Sequence, residues 1–241
     1  SLGDPVVNIT FGNDNTPKGP LKPGVTNLVY TTNCPNDGQY NITNLSFGCF
    51  NNTWFLLAGD HTGDVGGRFM VVNASFEPSD FYVDTVTGLC GNTVYEFAAW
   101  ASNVLKPTSC NSQGINPNLT FSIETLTGTV IKKFSSGDIS SGTEKTWKQF
   151  GTFFSTPAGS GTVVLRITNN AKGGCGNDLI LDDITFRPCG PKVTAQIAND
   201  PSMYIDVCEN DKKDFQFTAS YSAGFIDPVL QWQLSKDTGK T

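Results

Sequence analysis

The sequence predicts an all-β chain, a two-sheet β-sandwich followed by part of a second one. Short runs of alternating apolar residues recur along it, separated by Gly, Asn, Asp and Pro. No stretch sustains the period of about 3.6 residues that marks an amphipathic helix. The clearest run, Val94 to Val104, puts Tyr95, Phe97, Ala99 and Ala101 on one face and Glu96, Ala98 and Trp100 on the other. At 241 residues the chain can bury a sizeable core. A change of character divides it into 1–190, the first sandwich, and 191–241.

VVNITF at Val6 to Phe11 alternates as a first strand, and a Pro- and Gly-rich loop follows it. Asn33 to Asn52 reads as a loop that closes on itself, with Trp54 and Phe55 directly after. The acidic, glycine-rich turn from Gly59 leads into a strand at Phe69 to Val72, and Phe81 to Val86 is the next one. After the strand at 94–104 and a long cysteine-containing loop, Leu119 to Thr127 and Gly128 to Phe134 form a hairpin turning at Gly128. Trp147 to Ser155 and Thr162 to Thr168 are further strands, the second with Val163, Leu165 and Ile167 opposed to Val164, Arg166 and Thr168. GGCGNDLILDDITFRPC, Gly173 to Cys189, closes the domain with roughly the ninth or tenth short strand expected of a sandwich. Asp182 and Asp183 stand in its middle, where two charges cost free energy unless a cation or solvent compensates them. Strand alternation is expected to turn them to opposite faces.

A net charge of −6 and a pI near 4.7, with no cluster of Lys or Arg, exclude a nucleic-acid partner. No apolar run approaches the roughly 20 residues that span a bilayer, so no membrane insertion is expected. Ser1 begins no signal-peptide pattern, which reads as a mature or trimmed soluble segment.

Seven cysteines in Gly, Asn and Pro surroundings, beside a single histidine, point to disulfides rather than zinc and hence to a secreted, periplasmic or cell-surface setting. Cys34 and Cys49 are near enough in sequence for a local bridge. In antiparallel strands Cys90 and Cys110 lie at opposite ends of the run 94–104 and cannot pair. The implied pairs are Cys90 with Cys189 and Cys110 with Cys175, leaving Cys208 as the odd one out.

Catalysis finds little footing. His61, the lone histidine, lies in a turn, and no G-x-S-x-G elbow is present. Neighbouring aspartates on opposite strand faces cannot flank one glycosidic bond. Glu96 and Trp100 on one face, with Arg166 from a neighbouring outward face, would combine a stacking platform with hydrogen-bonding groups, as sugar recognition needs. Trp54 among the polar loops offers a second platform. Six Asn-x-Ser/Thr triplets, at Asn8, Asn41, Asn44, Asn51, Asn73 and Asn118, read mostly as the composition of an Asn-rich chain.

Two resemblances sharpen this. Asp60 to Gly63, DHTG, followed by a strand carrying Met70, together with NDLILDDITFRPC at Asn177 to Cys189, resembles the MAM domain and the related carbohydrate-binding-module jelly rolls. The resemblance implies a jelly roll whose first strand, acidic loop and last strand meet around a structural calcium. Asp60, Thr62 and Asp182 or Asp183 would be its ligands. Where the family tends to carry a carboxylate after the first-strand Phe, this chain has Gly12 after Phe11, so a backbone carbonyl there, or Asn13 or Asp14, would substitute. Hard oxygen ligands of this type suit calcium. In 191–241 the order Cys208 then Trp232, with strands at Phe215 to Ala219 and Leu230 to Leu234, resembles the first half of a bacterial Ig-like domain, truncated before its second half. The expectation is a non-catalytic extracellular module of a larger bacterial surface or secreted protein. Its partner would be a glycan, or a cell-surface protein if it serves adhesion; a structural spacer is the third reading.

Overall fold

The computed structural model describes residues 2–16, 18–46, 49–159, 161–190, 193–198, 214–221 and 229–232. It divides into two units, Asp4–Pro188 and a smaller one formed by Ser1–Gly3 with Cys189–Thr241. The chain is all-β, and the large unit is a jelly-roll-like sandwich. Its strands are β1 (Val7–Ile9), β2 (Val29–Tyr30), β3 (Gln39–Thr43), β4 (Leu45–Ser46), β5 (Leu57–Ala58), β6 (Phe69–Asn73) and β7 (Ser79–Thr87). They continue as β8 (Val94–Asn103), β9 (Asn118–Glu124), β10 (Val130–Asp138), β11 (Lys148–Ser155), β12 (Thr162–Asn169) and β13 (Asp178–Cys189).

One sheet runs β11-β8-β13-β6-β3-β2, with β1 also paired to β13, and the other runs β10-β9-β12-β7. All pairings within them are antiparallel except β2 with β3 wherever register is defined. Gly128, at φ 84°, turns the β9–β10 hairpin, in the left-handed region that glycine enters without steric cost.

Alternation sorts the side chains as the sequence predicts. Tyr95, Phe97, Ala99 and Ala101 of β8 and Leu119, Phe121 and Ile123 of β9 fill one core with Val163, Leu165 and Ile167 of β12. Burial of such side chains contributes about 1.5–3 kcal/mol each. A second cluster lies on the other face of the seven-stranded sheet, because the residues between core positions are apolar too. Phe69, Val71 and Ile180 pack there with Trp54, Leu57, Val104 and Leu105 under the segment preceding β6.

Cys34–Cys49 and Cys110–Cys175 are bonded. The expected bridge from Cys90 to Cys189 is not made, since Cys90 carries a free, exposed thiol. Strand direction put these two cysteines at one end of the sandwich, but being at one end does not bring two sulfurs within bonding reach. Asn41 and Asn73 are buried with their amides on the Asn33 and Pro35 carbonyls, which suits a structural role.

In the small unit β14 (Val193–Ile197) pairs antiparallel with β15 (Phe217–Tyr221), so the strand expected at Phe215 to Ala219 lies two residues later. Trp232 is 56% exposed, with its ring 5.9 Å from that of Phe217. Residues 229–232 form no strand. Cys208 and Leu234 lie outside the described residues.

Candidate binding sites

Asp182 and Asp183 depart from the expected alternation. Leu179 and Leu181 point into the core, and so do Ile184 and Phe186; an unbroken pleat would turn Ile184 out. Asp183 takes the extra residue in a left-handed conformation, φ 46°, as a β-bulge does. Here β13 also changes partner, from β6 through Leu181 to β1 from Ile184. Both carboxylates therefore reach the same residue. The backbone N–H of His61 donates to Asp182 Oδ2 at 2.8 Å, and His61 Nδ1 lies 2.6 Å from Asp183 Oδ2. Thr62 donates its hydroxyl to Asp183 Oδ1 at 2.8 Å, and Asp183 N–H donates to Asp182 Oδ1 at 2.8 Å.

Asp182 is fully buried, and burial, despite the His61 N–H, pushes its carboxyl up to about 7. Asp60 Oδ1 caps the turn by accepting from Gly63 N–H at 2.8 Å, while Asp60 Oδ2 is buried with no hydrogen-bond partner among the described residues. Gly67 makes room for it: a Cβ there would lie 1.9 Å from that oxygen. Above this group the Lys145 ammonium donates to the Ala58 and Gly59 carbonyls at 2.5 and 2.9 Å, over the Trp147 and Phe69 rings. Burial lowers its pKa, and the charges of Asp60 and Asp182 oppose that.

Among the described residues no group of three or more His, Cys, Asp or Glu is arranged to hold a metal ion; of the residues expected to hold calcium, Asp60 and Asp182 keep oxygen lone pairs to offer one. One has an orphaned buried oxygen, and each Asp182 oxygen keeps a lone pair beyond the N–H it accepts. Thr62 and Asp183 satisfy each other and His61. The Gly12 carbonyl accepts from Arg68 N–H at 2.9 Å. Asn13 closes its own turn, its carbonyl accepting from the Thr16 hydroxyl and its side chain from Asn15 N–H.

The platform expected from Glu96, Trp100 and Arg166 is not assembled. Trp100 and Glu96 do share the outer face of the seven-stranded sheet. The Trp100 indole, however, is covered by the His61 imidazole, with ring centroids 3.7 Å apart and planes 17° from parallel. Glu96 faces Arg187 at 3.6 Å. Arg166 belongs to the other sheet, because alternation fixes which face a residue takes but not which sheet its strand joins. Trp54 is a core residue, 4% exposed, with Nε1 donating to Asp178 Oδ2 at 3.0 Å.

Arg166 instead organises the outer face of the four-stranded sheet. It forks onto Glu124, Nε to Oε1 at 3.0 Å and Nη2 to Oε2 at 3.2 Å, and its Nη1 reaches Asp80. The Glu124 carboxyl is held below the usual carboxylate range: burial raises it, and the opposing Arg166 and Ser122 hydrogen bonds and the Arg166 charge outweigh that. Two residues along β12, Thr168 donates to Asp80 Oδ1 at 2.8 Å. Beside it lies a groove of about 500 Å³ lined by Thr120, Lys133, Phe134, Ser135, Thr168 and Asn170.

No protein family matches the chain, and neither does any curated protein sequence. Solved structures with a similar chain path include a cyclase from Fischerella sp. TAU, with a TM-score of 0.44 and 14% identity over 62% of this chain and 73% of that one. The CBM22-1 xylan-binding domain from Paenibacillus barcinonensis has a TM-score of 0.38 and 13% identity over 77% of this chain and 95% of that one. The enzymatically active domain of tailspike protein 4 from bacteriophage CBA120 has a TM-score of 0.39 and 10% identity over 64% of this chain. The chain spans only 18% of the length of that tailspike.

Sequence reasoning passed over the groove residues Thr120, Lys133, Ser135 and Asn170. Their one signal was the alternation of β9 and β12, which marks Thr120 and Thr168 as outward. Lys145 and Trp147 gave no pattern, since they meet the Asp60 loop only through the fold.

Proposed function

We propose that this chain is a non-catalytic extracellular module that binds carbohydrate on the outer face of its four-stranded sheet. The groove between Thr120, Ser135, Thr168 and Asn170 carries this reading. A hydroxyl-rich ligand needs many fixed donors and acceptors, and the groove presents hydroxyls and a carboxamide held rigid by their neighbours. Asn170 Nδ2 donates to Thr120 Oγ1 at 2.8 Å and to Asn118 Oδ1 at 2.9 Å, and the Arg166 fork fixes the adjacent strands. Such preorganisation lowers the entropy lost on binding.

A catalytic role finds no accessible general acid at the paired aspartates, since Asp182 is fully buried. Both Asp182 oxygens accept backbone N–H groups, and both Asp183 oxygens are engaged by His61 and Thr62. Two disulfides suit an oxidising compartment, and among the described residues no helix is long and apolar enough to cross a membrane. Structural calcium at Asp60 and Asp182 belongs to the same proposal: it would neutralise the buried pair and tie the loop before β6 to β13.

A glycan array tests the reading. The expected result is binding that Asn170→Ala and Thr168→Val both weaken, while Trp100→Ala leaves it intact. An array on which the folded protein binds nothing ends the carbohydrate reading in favour of a protein partner.

A further inference from the structure

We infer that the groove on the four-stranded sheet selects acidic saccharides, with the ligand's carboxylate or sulfate ester seated on Lys133. The inference rests on the carbohydrate reading and follows from which of the groove's hydrogen-bonding groups are still uncommitted.

Most of them are already engaged within the protein. Thr120 donates to Asn170 Oδ1 at 3.1 Å and accepts from Asn170 Nδ2. The Thr168 hydroxyl is directed at Asp80. Ser135 donates weakly to Asn118 Oδ1 at 3.4 Å and accepts from Gly137 N–H at 3.2 Å. The carboxylates near this face are held as well: Asp80 and Glu124 by Arg166, and Asp138 by Asn118 Nδ2 at 2.9 Å.

Lys133 differs from all of these. It stands on β10 opposite Ser122 of β9 and two residues before Ser135, it lines the groove, and it is exposed. Among the described residues its ammonium enters no hydrogen bond or ion pair. An ammonium offers three donors and no acceptor. It is therefore the strongest uncommitted recognition group in the groove, and its natural complement is an anionic acceptor, because charge-assisted hydrogen bonds are roughly twice as strong as neutral ones. The surrounding hydroxyls keep lone pairs that can accept from the sugar's own hydroxyls, so the ring is held by neutral contacts and the acid by Lys133.

The test uses two matched pairs of soluble probes at low ionic strength, titrated calorimetrically: a uronic-acid oligosaccharide with its carboxyl-reduced form, and a sulfated oligosaccharide with its desulfated form. The wild-type chain is expected to bind at least one acidic member about tenfold more tightly than its neutral partner. Lys133→Met should remove the preference, Lys133→Arg should retain it, and Lys148→Met, on a different sheet, should leave it untouched. Moderate salt should erode the preference. Equal affinity for acidic and neutral members, unchanged in Lys133→Met, overturns the inference and leaves the carbohydrate reading standing. Absence of binding to all four probes and to the array overturns both.

Discussion

Asp182 and Asp183, neighbours on one strand, hold the same histidine, one through its backbone N–H and the other through its imidazole. The bulge at Asp183 makes this possible, and it closes the loop before β6 over β13. The His61 ring is the fastener, pressed on Trp100 and edge-on to Trp147, 6.0 Å between centroids. His61→Ala removes the stack, the contact to Asp183 and the cover of Trp100, and should cost about 1–3 kcal/mol. Denaturant unfolding measures it, and a loss below about 0.5 kcal/mol, the scale of a neutral surface change, would falsify the fastener role.

Asp178 sets a pH dependence. Burial, with the Trp54 hydrogen bond opposing it, pushes its carboxyl up to about 7. In the unfolded chain this group ionises near its ordinary value of 3.8. The folded state thus holds the extra proton between those values, and stability falls as pH rises through that window. The thermal midpoint should drop from about pH 5 to about pH 8. Asp178→Asn keeps an oxygen acceptor for Trp54 and should make the profile shallower without flattening it, because Asp182, also raised to about 7 by burial, contributes in the same window. An equally steep profile in that variant would place its origin elsewhere.

How much of this was legible in the sequence depends on what each pattern encodes. Alternation in β8, β9 and β12 reports one buried face, so the core was readable from Tyr95, Phe97, Val163 and Leu165 directly. Strand direction further placed Cys110 beside Cys175. Alternation is silent on sheet membership, which is why Arg166 was joined to Glu96 and Trp100 across two different sheets. It is equally silent on a left-handed residue that is not glycine, so the bulge at Asp183 was invisible. Trp54 looked like a platform because its neighbours are polar. Its burial comes from the second core, built by Phe69, Val71 and Ile180 on the face that a simple sandwich would leave to solvent.

The Cys110–Cys175 bridge spans 65 residues and pins the loop after β8 to the glycine loop before β13. Ile115 N–H donates to the Cys175 carbonyl at 3.0 Å, and Asn177 N–H to the Ile115 carbonyl at 2.7 Å. Closing a loop of that length restricts the unfolded chain, so replacing both cysteines by serine should cost about 2–4 kcal/mol. The Cys34–Cys49 loop is shorter, with a separation of 15, and its double serine variant should lose less. Chemical denaturation of the two variants side by side decides, and the reverse order would contradict the loop-entropy account.

Arg166→Met separates architecture from recognition. The substitution leaves Glu124 and Asp80 facing each other without their shared cation, both partly shielded from water. Partial exposure of all three side chains limits the penalty to about 1–2 kcal/mol. Glu124 loses the partner that lowers its pKa, so the wild-type chain should hold its advantage at neutral pH and surrender it in acid, as the carboxylates protonate. Melts of both proteins at pH 7 and pH 3 check the sign. A gap that persists in acid would mean that the methylene stem of Arg166 matters more than its charge.

The proposed calcium would compete with the Lys145 charge for one acidic pocket. Among the described residues Asp60 Oδ2 has no partner, and the Lys145 ammonium, the nearby positive charge, is spent on the Ala58 and Gly59 carbonyls. A divalent ion held by Asp60 and Asp182 would stabilise the folded state by mass action, by about 2.7 kcal/mol at a hundredfold excess over Kd. For a chain of this size that is a rise in thermal midpoint of roughly 5–10 °C. Chelator should reverse it, and Asp60→Asn should abolish it, since the amide retains the cap to Gly63 but loses the charge. Lys145→Met removes the competing ammonium, so it should enlarge the calcium shift while lowering the melt in chelator, where Asp60 and Asp182 lose the opposing Lys145 charge. Melts that are indistinguishable with calcium and with chelator, in both the wild-type chain and Lys145→Met, would show that the pocket holds no metal.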